Sequence, residues 1–106
     1  MPIIMTTAWY PYSKRMEVGK KGIEAVTKFP GDESISKNLG TAIMRDKHGI
    51  KIVVMTEVME GKLEEALVLV GEVIDFYMEV DGFNTKTELA ATPLEAMESI
   101  NMKLPE

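Results

Sequence analysis

Residues 39–58 read LGTAIMRDKHGIKIVVMTEV. Two apolar segments in this stretch flank the turn sequence DKHG, which ends at Gly49. Because glycine tolerates positive φ, this sequence predicts a tight hairpin with two central residues, Lys47 and His48. Once the turn is placed, the register of the two strands follows by counting outward from it.

Both faces of the predicted hairpin carry apolar residues. One face is expected to pair Arg45 with Ile50, Ile43 with Ile52, and Thr41 with Val54. The other face is expected to pair Met44 with Lys51, Ala42 with Val53, and Gly40 with Met55. The run IVVM at 52–55 does not alternate, which is typical of a strand buried on both faces.

The patterns outside the hairpin predict two more strands and three helices. The predicted elements are a strand over 3–10, a helix over 14–28, the hairpin strands over 39–45 and 50–58, a helix over 61–80, a strand over 83–91 and a short helix over 93–100. Thr92-Pro93-Leu94-Glu95 has the pattern of a capping box with proline at the first helical position. The order of elements is therefore βαββαβ followed by a short C-terminal helix.

The first helix has two contrasting stripes. Its apolar stripe, which we expect to be the packed one, consists of Met16, Gly19, Ile23 and Val26. Its charged stripe, interpreted as a solvated face, consists of Lys14, Glu17, Lys21, Glu24 and Lys28. Within that stripe the order Glu then Lys, four residues apart, favours ion pairs along the helix. Ser13 is expected to be the N-cap.

Composition limits the classes of protein that the chain can belong to. It has 106 residues, 45% of them apolar and 27% charged, which suits one soluble domain over residues 1–106. It has no cysteine and one histidine, which argues against a metal site. Its net charge of −5, together with a third strand without aromatic residues, argues against nucleic acid as a partner. No membrane span or signal peptide is visible, so we expect a cytoplasmic protein.

The element order indicates an α+β fold, a ferredoxin-like βαββαβ unit with a four-stranded antiparallel sheet. Over about residues 3–91 the chain resembles the dimeric α+β-barrel superfamily, in element order, length and doubly apolar strands. That group includes antibiotic-monooxygenase-type oxygenases, haem degraders, lactone isomerases and ligand-sensing domains. The resemblance implies two copies that stack their free sheet faces as a dimeric α+β barrel.

Exposed apolar residues on the sheet favour the same assembly independently. The free sheet face is expected to carry Ala42, Met44, Val53 and Met55. Apolar patches of this kind mark interfaces, so we expect a homodimer through the sheet faces. Haem degraders of the superfamily use a helix histidine as iron ligand, whereas the second helix here has none, so we expect no cofactor.

The predicted topology also gathers aromatic residues at one end of the sheet. Six of the seven aromatic residues lie there, with Phe29 expected elsewhere, and the only histidine lies in the adjacent turn. We expect this end to bind a small apolar or aromatic molecule. The candidate ligand-binding residues are Trp9, Tyr10, Tyr12, Arg45, Tyr77 and Phe83. Plain packing is the alternative interpretation of the aromatic residues.

Three functions remain open on these observations. The first is a homodimeric module that binds a small apolar or aromatic molecule. The second is a cofactor-free monooxygenase or isomerase in which His48 or Tyr77 transfers protons. The third is a structural or assembly module that binds further protein through the additional apolar residues of the second helix, Leu69, Val73 and Phe76, and through the terminal helix.

Overall fold

A computed structural model describes residues 1–102. Its elements are β1 (Ile3–Tyr10), α1 (Arg15–Lys28), β2 (Ser36–Asp46), β3 (Gly49–Val58), α2 (Leu63–Tyr77), β4 (Asn84–Ala90) and α3 (Pro93–Ser99). The four strands form one antiparallel sheet in the order β2-β3-β1-β4. The predicted α+β fold, of ferredoxin-like type, is confirmed.

The central hairpin has the predicted register. Arg45 pairs with Ile50 and Met44 pairs with Lys51, so the turn contains two central residues, Lys47 and His48. The Asp46 carboxylate accepts a hydrogen bond of 2.7 Å from the backbone N–H of His48, which stabilises the turn. The strand β2 begins three residues earlier than expected and contains an irregularity just before Gly40.

The helix-facing side of the sheet carries two separate clusters of buried apolar residues. The first cluster consists of Ala8, Tyr10, Val18, Ile50, Val80 and Phe83. The second cluster consists of Ile4, Val58 and Ala66. Between the two clusters, the register aligns Thr41, Val54, Thr6 and Thr87 in one row across all four strands. The middle of this layer is therefore unusually rich in hydroxyl groups.

The prediction that the stripe of Met16, Ile23 and Val26 packs against the fold is wrong. Met16 is 69% exposed, and Ile23 and Val26 are each 77% exposed, whereas Val18 is buried. The inward face is instead completed by lysine side chains that lie over an aromatic ring. The Lys21 ammonium group is 4.1 Å from the centroid of the Phe76 ring on α2. Long lysine stems can cover apolar surface, so hydropathy assigned the wrong stripe to the interior.

The charged residues of α1 also pair differently from the expectation. Lys21 forms an ion pair with Glu79, beyond the end of α2, rather than with Glu17 one turn away. The Lys28 ammonium group lies 4.6 Å from the centroid of the Phe76 ring. These contacts join α1 to α2, which explains why the charged stripe is not a fully solvated face.

The ends of the helices show which local signals were informative. Ser13 lies within a 3₁₀ helix, Tyr12–Lys14, and α1 has no side-chain N-cap, so the predicted cap is wrong. The capping box of α3 is confirmed. The Thr92 hydroxyl accepts from the backbone N–H of Glu95 at 3.1 Å, and the Glu95 carboxylate accepts from the backbone N–H of Thr92 at 2.9 Å. The second helix ends at Tyr77 rather than Val80.

Candidate functional site

The aromatic residues of the helix-facing layer pack mainly on one another. The ring centroids are 5.9 Å apart for Tyr10 and Phe83, and 5.5 Å apart for Phe83 and Tyr77. The series continues from Tyr77 to Phe76 at 5.9 Å and from Phe76 to Phe29 at 5.6 Å. Phe29 therefore joins the aromatic cluster. The prediction from the sequence that Phe29 lies elsewhere is wrong.

The structure brings only some of the candidate ligand-binding residues together. Tyr10, Tyr77 and Phe83 stack within the aromatic cluster. Tyr12 is half-exposed, and the guanidinium carbon of Arg15 lies 4.3 Å from the centroid of its ring. Trp9 points to the opposite face of the sheet from Tyr10, as strand alternation requires, and is 39% exposed. The remaining candidate, Arg45, is exposed on the edge strand β2.

A small cleft lies at the aromatic end of the sheet. It has a volume of about 280 Å³. Its lining consists of Trp9, Tyr10, Pro11, Asp46, His48, Gly49, Ile50, Lys51, Gly82 and Asn84. His48, the candidate proton-transfer residue, therefore lies beside Trp9 and Tyr10. The lining mixes aromatic rings with charged groups, and the volume is smaller than that of most drug-sized ligand sites, which start at roughly 300 Å³.

The phenol groups of Tyr10 and Tyr77 are both perturbed by the packing. Burial raises the pKa of Tyr10, and the positive charge of Arg45 partly opposes that rise. Burial also raises the pKa of Tyr77, and the nearby Tyr10 phenol contributes in the same direction. The raised pKa keeps both phenols protonated to a higher pH than a free phenol, so each remains available as a hydrogen-bond donor.

This packing predicts a loss of stability in alkaline solution. Because the folded-state pKa of each phenol is raised above its usual value near 10, the folded protein binds these protons more tightly than the unfolded chain does. The stabilisation is present below pH 10 and is lost as pH rises through the folded pKa. The change in the free energy of unfolding between pH 8 and pH 10.5 is measured by urea unfolding of the wild type and of Tyr77→Phe. The variant is expected to lose less stability between the two pH values, and an equal loss would contradict the assignment.

A larger groove opens between α2 and the sheet, beside the loop that follows α1. Its volume is about 430 Å³. Its lining consists of Thr6, Lys28, Phe29, Pro30, Gly31, Asp32, Ser36, Asn38, Val54, Thr56, Leu69, Val70, Glu72, Val73 and Ile74. The groove occupies the space between the two apolar clusters, where a domain of this kind would ordinarily have a continuous core.

The walls and floor of the groove differ in chemistry. Leu69, Val70 and Val73 contribute an apolar wall from one side of α2. Thr6 and Thr56 contribute hydroxyl groups from the neighbouring central strands β1 and β3. An apolar cavity with a few polar groups at fixed positions is the usual form of a small-molecule site.

A structured turn forms the rim of the groove. The Asp32 carboxylate accepts a hydrogen bond of 3.0 Å from the backbone N–H of Ser34 and a second bond from the Ser34 hydroxyl. These bonds hold the pKa of Asp32 below its usual value. The backbone carbonyl of Asp32 also accepts from the N–H groups of Ile35 and Ser36. The loop between α1 and β2 is therefore fixed in shape where it borders the groove.

Sequence reasoning missed this groove, although two signals for it were present. Thr6 and Thr56 occupy positions on the helix-facing side of their strands, where an apolar residue is expected. From the sequence alone, Leu69 and Val73 are interpreted as additional apolar residues of the second helix that form a surface for protein partners. In the structure these two residues line the groove.

Residues 1–102 give no support for a metal site or a membrane-spanning helix. These residues contain no group of three or more histidine, aspartate or glutamate side chains placed to hold a metal ion. None of their helices combines the length and the apolar character needed to cross a membrane.

Comparison with known proteins gives one structural similarity. No family model matches the chain, and no curated protein matches it. The chain is similar to a formyltetrahydrofolate deformylase from Pseudomonas putida KT2440, with a TM-score of 0.47 and 12% sequence identity. The match covers 87% of this chain and 29% of the deformylase chain. The assignment of the fold rests on the strand order and register described above.

Proposed function

We propose that this protein is a binding domain for a small, mostly apolar molecule, which it holds in the groove between α2 and the sheet. The observation that carries the proposal is the groove itself, an opening of about 430 Å³ between two apolar clusters. An unfilled space of this size lacks van der Waals contacts that would stabilise the fold. The threonines also place hydroxyl groups in a buried layer, where apolar side chains would be more stable. A ligand compensates for both.

The lining indicates what kind of molecule fits. The apolar wall of α2 suits an aliphatic or aromatic body. The hydroxyls of Thr6 and Thr56 suit one or two hydrogen-bonding groups on that body. The charged residues of the lining, Lys28, Asp32 and Glu72, include both signs, so charge does not select an anion or a cation. We therefore propose an apolar or aromatic compound with a hydrogen-bonding group at one end.

The small cleft at the aromatic end supports a second candidate function, an enzymatic one. Trp9, Tyr10 and His48 meet there, so a cofactor-free monooxygenase or isomerase that uses His48 would act in the cleft. Its mixed lining and smaller volume make it the less favourable site for an apolar molecule. Variants in the groove and in the cleft separate the two proposals.

The groove is tested with the fluorescent dye 1-anilinonaphthalene-8-sulfonate, an aromatic probe with an anionic group. Val73→Trp places an indole in the groove, and it is expected to weaken dye binding at least tenfold because the probe and the indole compete for one space. Val68→Trp is the matched control, because Val68 lies on the same helix but is 60% exposed. The measurement is a fluorescence titration of both variants and the wild type.

Two outcomes of this titration would count against the groove. Equal binding by the two tryptophan variants and the wild type would place the dye elsewhere on the protein. Weaker binding on His48→Gln, with no effect of Val73→Trp, would favour the cleft. Circular dichroism of each variant establishes that the fold is retained.

We also propose that two copies associate through the open sheet face as a dimeric α+β barrel. The register places Met5, Met55, Val53, Ala42 and Met44 on the side of the sheet away from α1 and α2. Of these, Met55 is 37% exposed and Met44 is 43% exposed. An apolar patch that extends over three adjacent strands supports an interface with a second sheet.

A further inference from the structure

Asn38 is an exposed residue at the mouth of the groove, beside the irregularity in β2. It pairs with Thr56 of β3, which in turn pairs with the buried Ile4 of β1. The three residues therefore lie in one row on the helix-facing side of the sheet. Residues paired across neighbouring strands have Cβ atoms roughly 5 Å apart, so the Asn38 amide lies beside the Thr56 hydroxyl that lines the groove.

A backbone contact fixes the orientation of the Asn38 amide. The backbone N–H of Gly40 donates a hydrogen bond of 2.7 Å to Oδ1 of Asn38. Because a backbone N–H only donates, the side-chain atom that it meets is the oxygen, and the other atom of the amide is the nitrogen. The bond spans the irregularity between Asn38 and Gly40, and irregularities of this kind re-aim side chains beside functional sites.

The nitrogen of the Asn38 amide is on the side that borders the groove. Nδ2 is 3.5 Å from the hydroxyl oxygen of Thr41, a long contact. Thr41 pairs with Val54, which lines the groove, so both lie on the helix-facing side. An amide nitrogen carries two hydrogens and only one of them can be directed at Thr41, so the other can donate to a bound molecule.

We propose that Asn38 determines the specificity of the groove by donating a hydrogen bond from Nδ2 to an acceptor oxygen, such as a carbonyl oxygen, on the bound molecule. This inference rests on the proposed function of the groove. The hydroxyls of Thr6 and Thr56 both donate and accept, so they do not distinguish an acceptor from a donor. The Asn38 nitrogen only donates, and an amine at the same place would bring two donors together.

Two neutral probes of nearly the same shape test this specificity. In 2-acetylnaphthalene a ketone oxygen occupies the position that a methylene group occupies in 2-isopropenylnaphthalene. The dissociation constants of both are measured by displacement of 1-anilinonaphthalene-8-sulfonate, after the affinity of each variant for the dye has been determined. The ratio of the two constants is then compared between variants, which removes the difference in hydrophobicity between the probes.

Asn38→Asp replaces the donating nitrogen with an oxygen and retains an acceptor for the backbone N–H of Gly40. The variant is expected to weaken binding of the ketone relative to the alkene by roughly three- to tenfold, which corresponds to the loss of one hydrogen bond. Asn101→Asp is the matched control, because it makes the same change at an exposed residue that lines neither the groove nor the cleft. Its ratio is expected to equal that of the wild type.

Val73→Trp separates a failure of this inference from a failure of the groove itself. If Val73→Trp weakens both probes but Asn38→Asp leaves their ratio as it is in the wild type, the groove stands and the role of Asn38 is overturned. If Val73→Trp affects neither probe, or neither probe displaces the dye, the proposed function and the inference fail together. An equal change of the ratio in Asn38→Asp and Asn101→Asp would also overturn the role of Asn38.

Discussion

The Gly49→Ala variant is expected to lose about 3 kcal/mol or more of its free energy of unfolding. Gly49 has a φ of 134°, a conformation in which residues with a side chain are strained by roughly 1–3 kcal/mol. A Cβ at this position would also lie 2.5 Å from the backbone carbonyl oxygen of Tyr10. Backbone cannot move aside as a flexible side chain does, so the steric cost adds to the conformational one.

Gly71 supplies the matched control for this substitution. It lies within α2, and no atom is within 4 Å of the position that its Cβ would occupy. Gly71→Ala is expected to raise the free energy of unfolding by about 0.5–1 kcal/mol, because alanine is the better helix former. Urea unfolding monitored by circular dichroism measures both variants. Equal stabilities for the two variants would contradict the described packing of the hairpin against the end of β1.

If two copies associate as proposed, the Val53→Glu variant is expected to raise the dissociation constant of that sheet-mediated dimer at least about 100-fold. Val53 lies on β3 in the middle of the open face, between Thr7 on β1 and Ala42 on β2. The two-fold symmetry of the proposed dimer would bring two carboxylates into one apolar interface. Each would lose its hydration without gaining a partner, at a cost on the order of 2 kcal/mol or more per site.

Sedimentation velocity over a range of concentrations measures this effect. Val68→Glu is the control, because it introduces the same charge at an exposed position of α2, on the other side of the sheet. The control is expected to associate as the wild type does. If Val53→Glu and Val68→Glu associate alike, the open face is not the interface.

The central hairpin was predictable because its determinants are local. The turn sequence before Gly49 sets the register, and alternation then assigns each residue to a face without reference to the rest of the chain. The pairing of Arg45 with Ile50 and of Ala42 with Val53 follows from that count alone. The same count places the apolar patch of the open sheet face correctly.

The orientation of α1 was not predictable from periodicity. The helix has an apolar stripe that includes Ile23, but the stripe that packs inward is centred on Val18 and bordered by Lys21. Hydropathy scores a lysine as polar, whereas here its stem lies over the ring of Phe76. Only the position of that ring, which depends on how α2 packs, distinguishes the two stripes.

The groove was not predictable because it is formed by residues distant in the chain. Thr6 and Thr56 come together only through the pairing of β1 with β3, and Val73 faces them only once α2 is packed on the sheet. Each threonine alone is ordinary in a strand, since threonine has a high β propensity. The aromatic residues gave the opposite error. In the sequence they indicate a ligand site, whereas in the structure residues such as Tyr10 and Phe83 stack on each other.

The most direct test of the proposed function is nuclear magnetic resonance mapping of the site with 1-anilinonaphthalene-8-sulfonate. Two-dimensional ¹H–¹⁵N spectra of the labelled protein are recorded as the dye is added. The groove proposal predicts that the largest amide shifts occur at Thr6, Val54, Thr56 and Val73, and that these shifts disappear in Val73→Trp. Shifts confined to the cleft around His48, or to Val53 on the open sheet face, would contradict it.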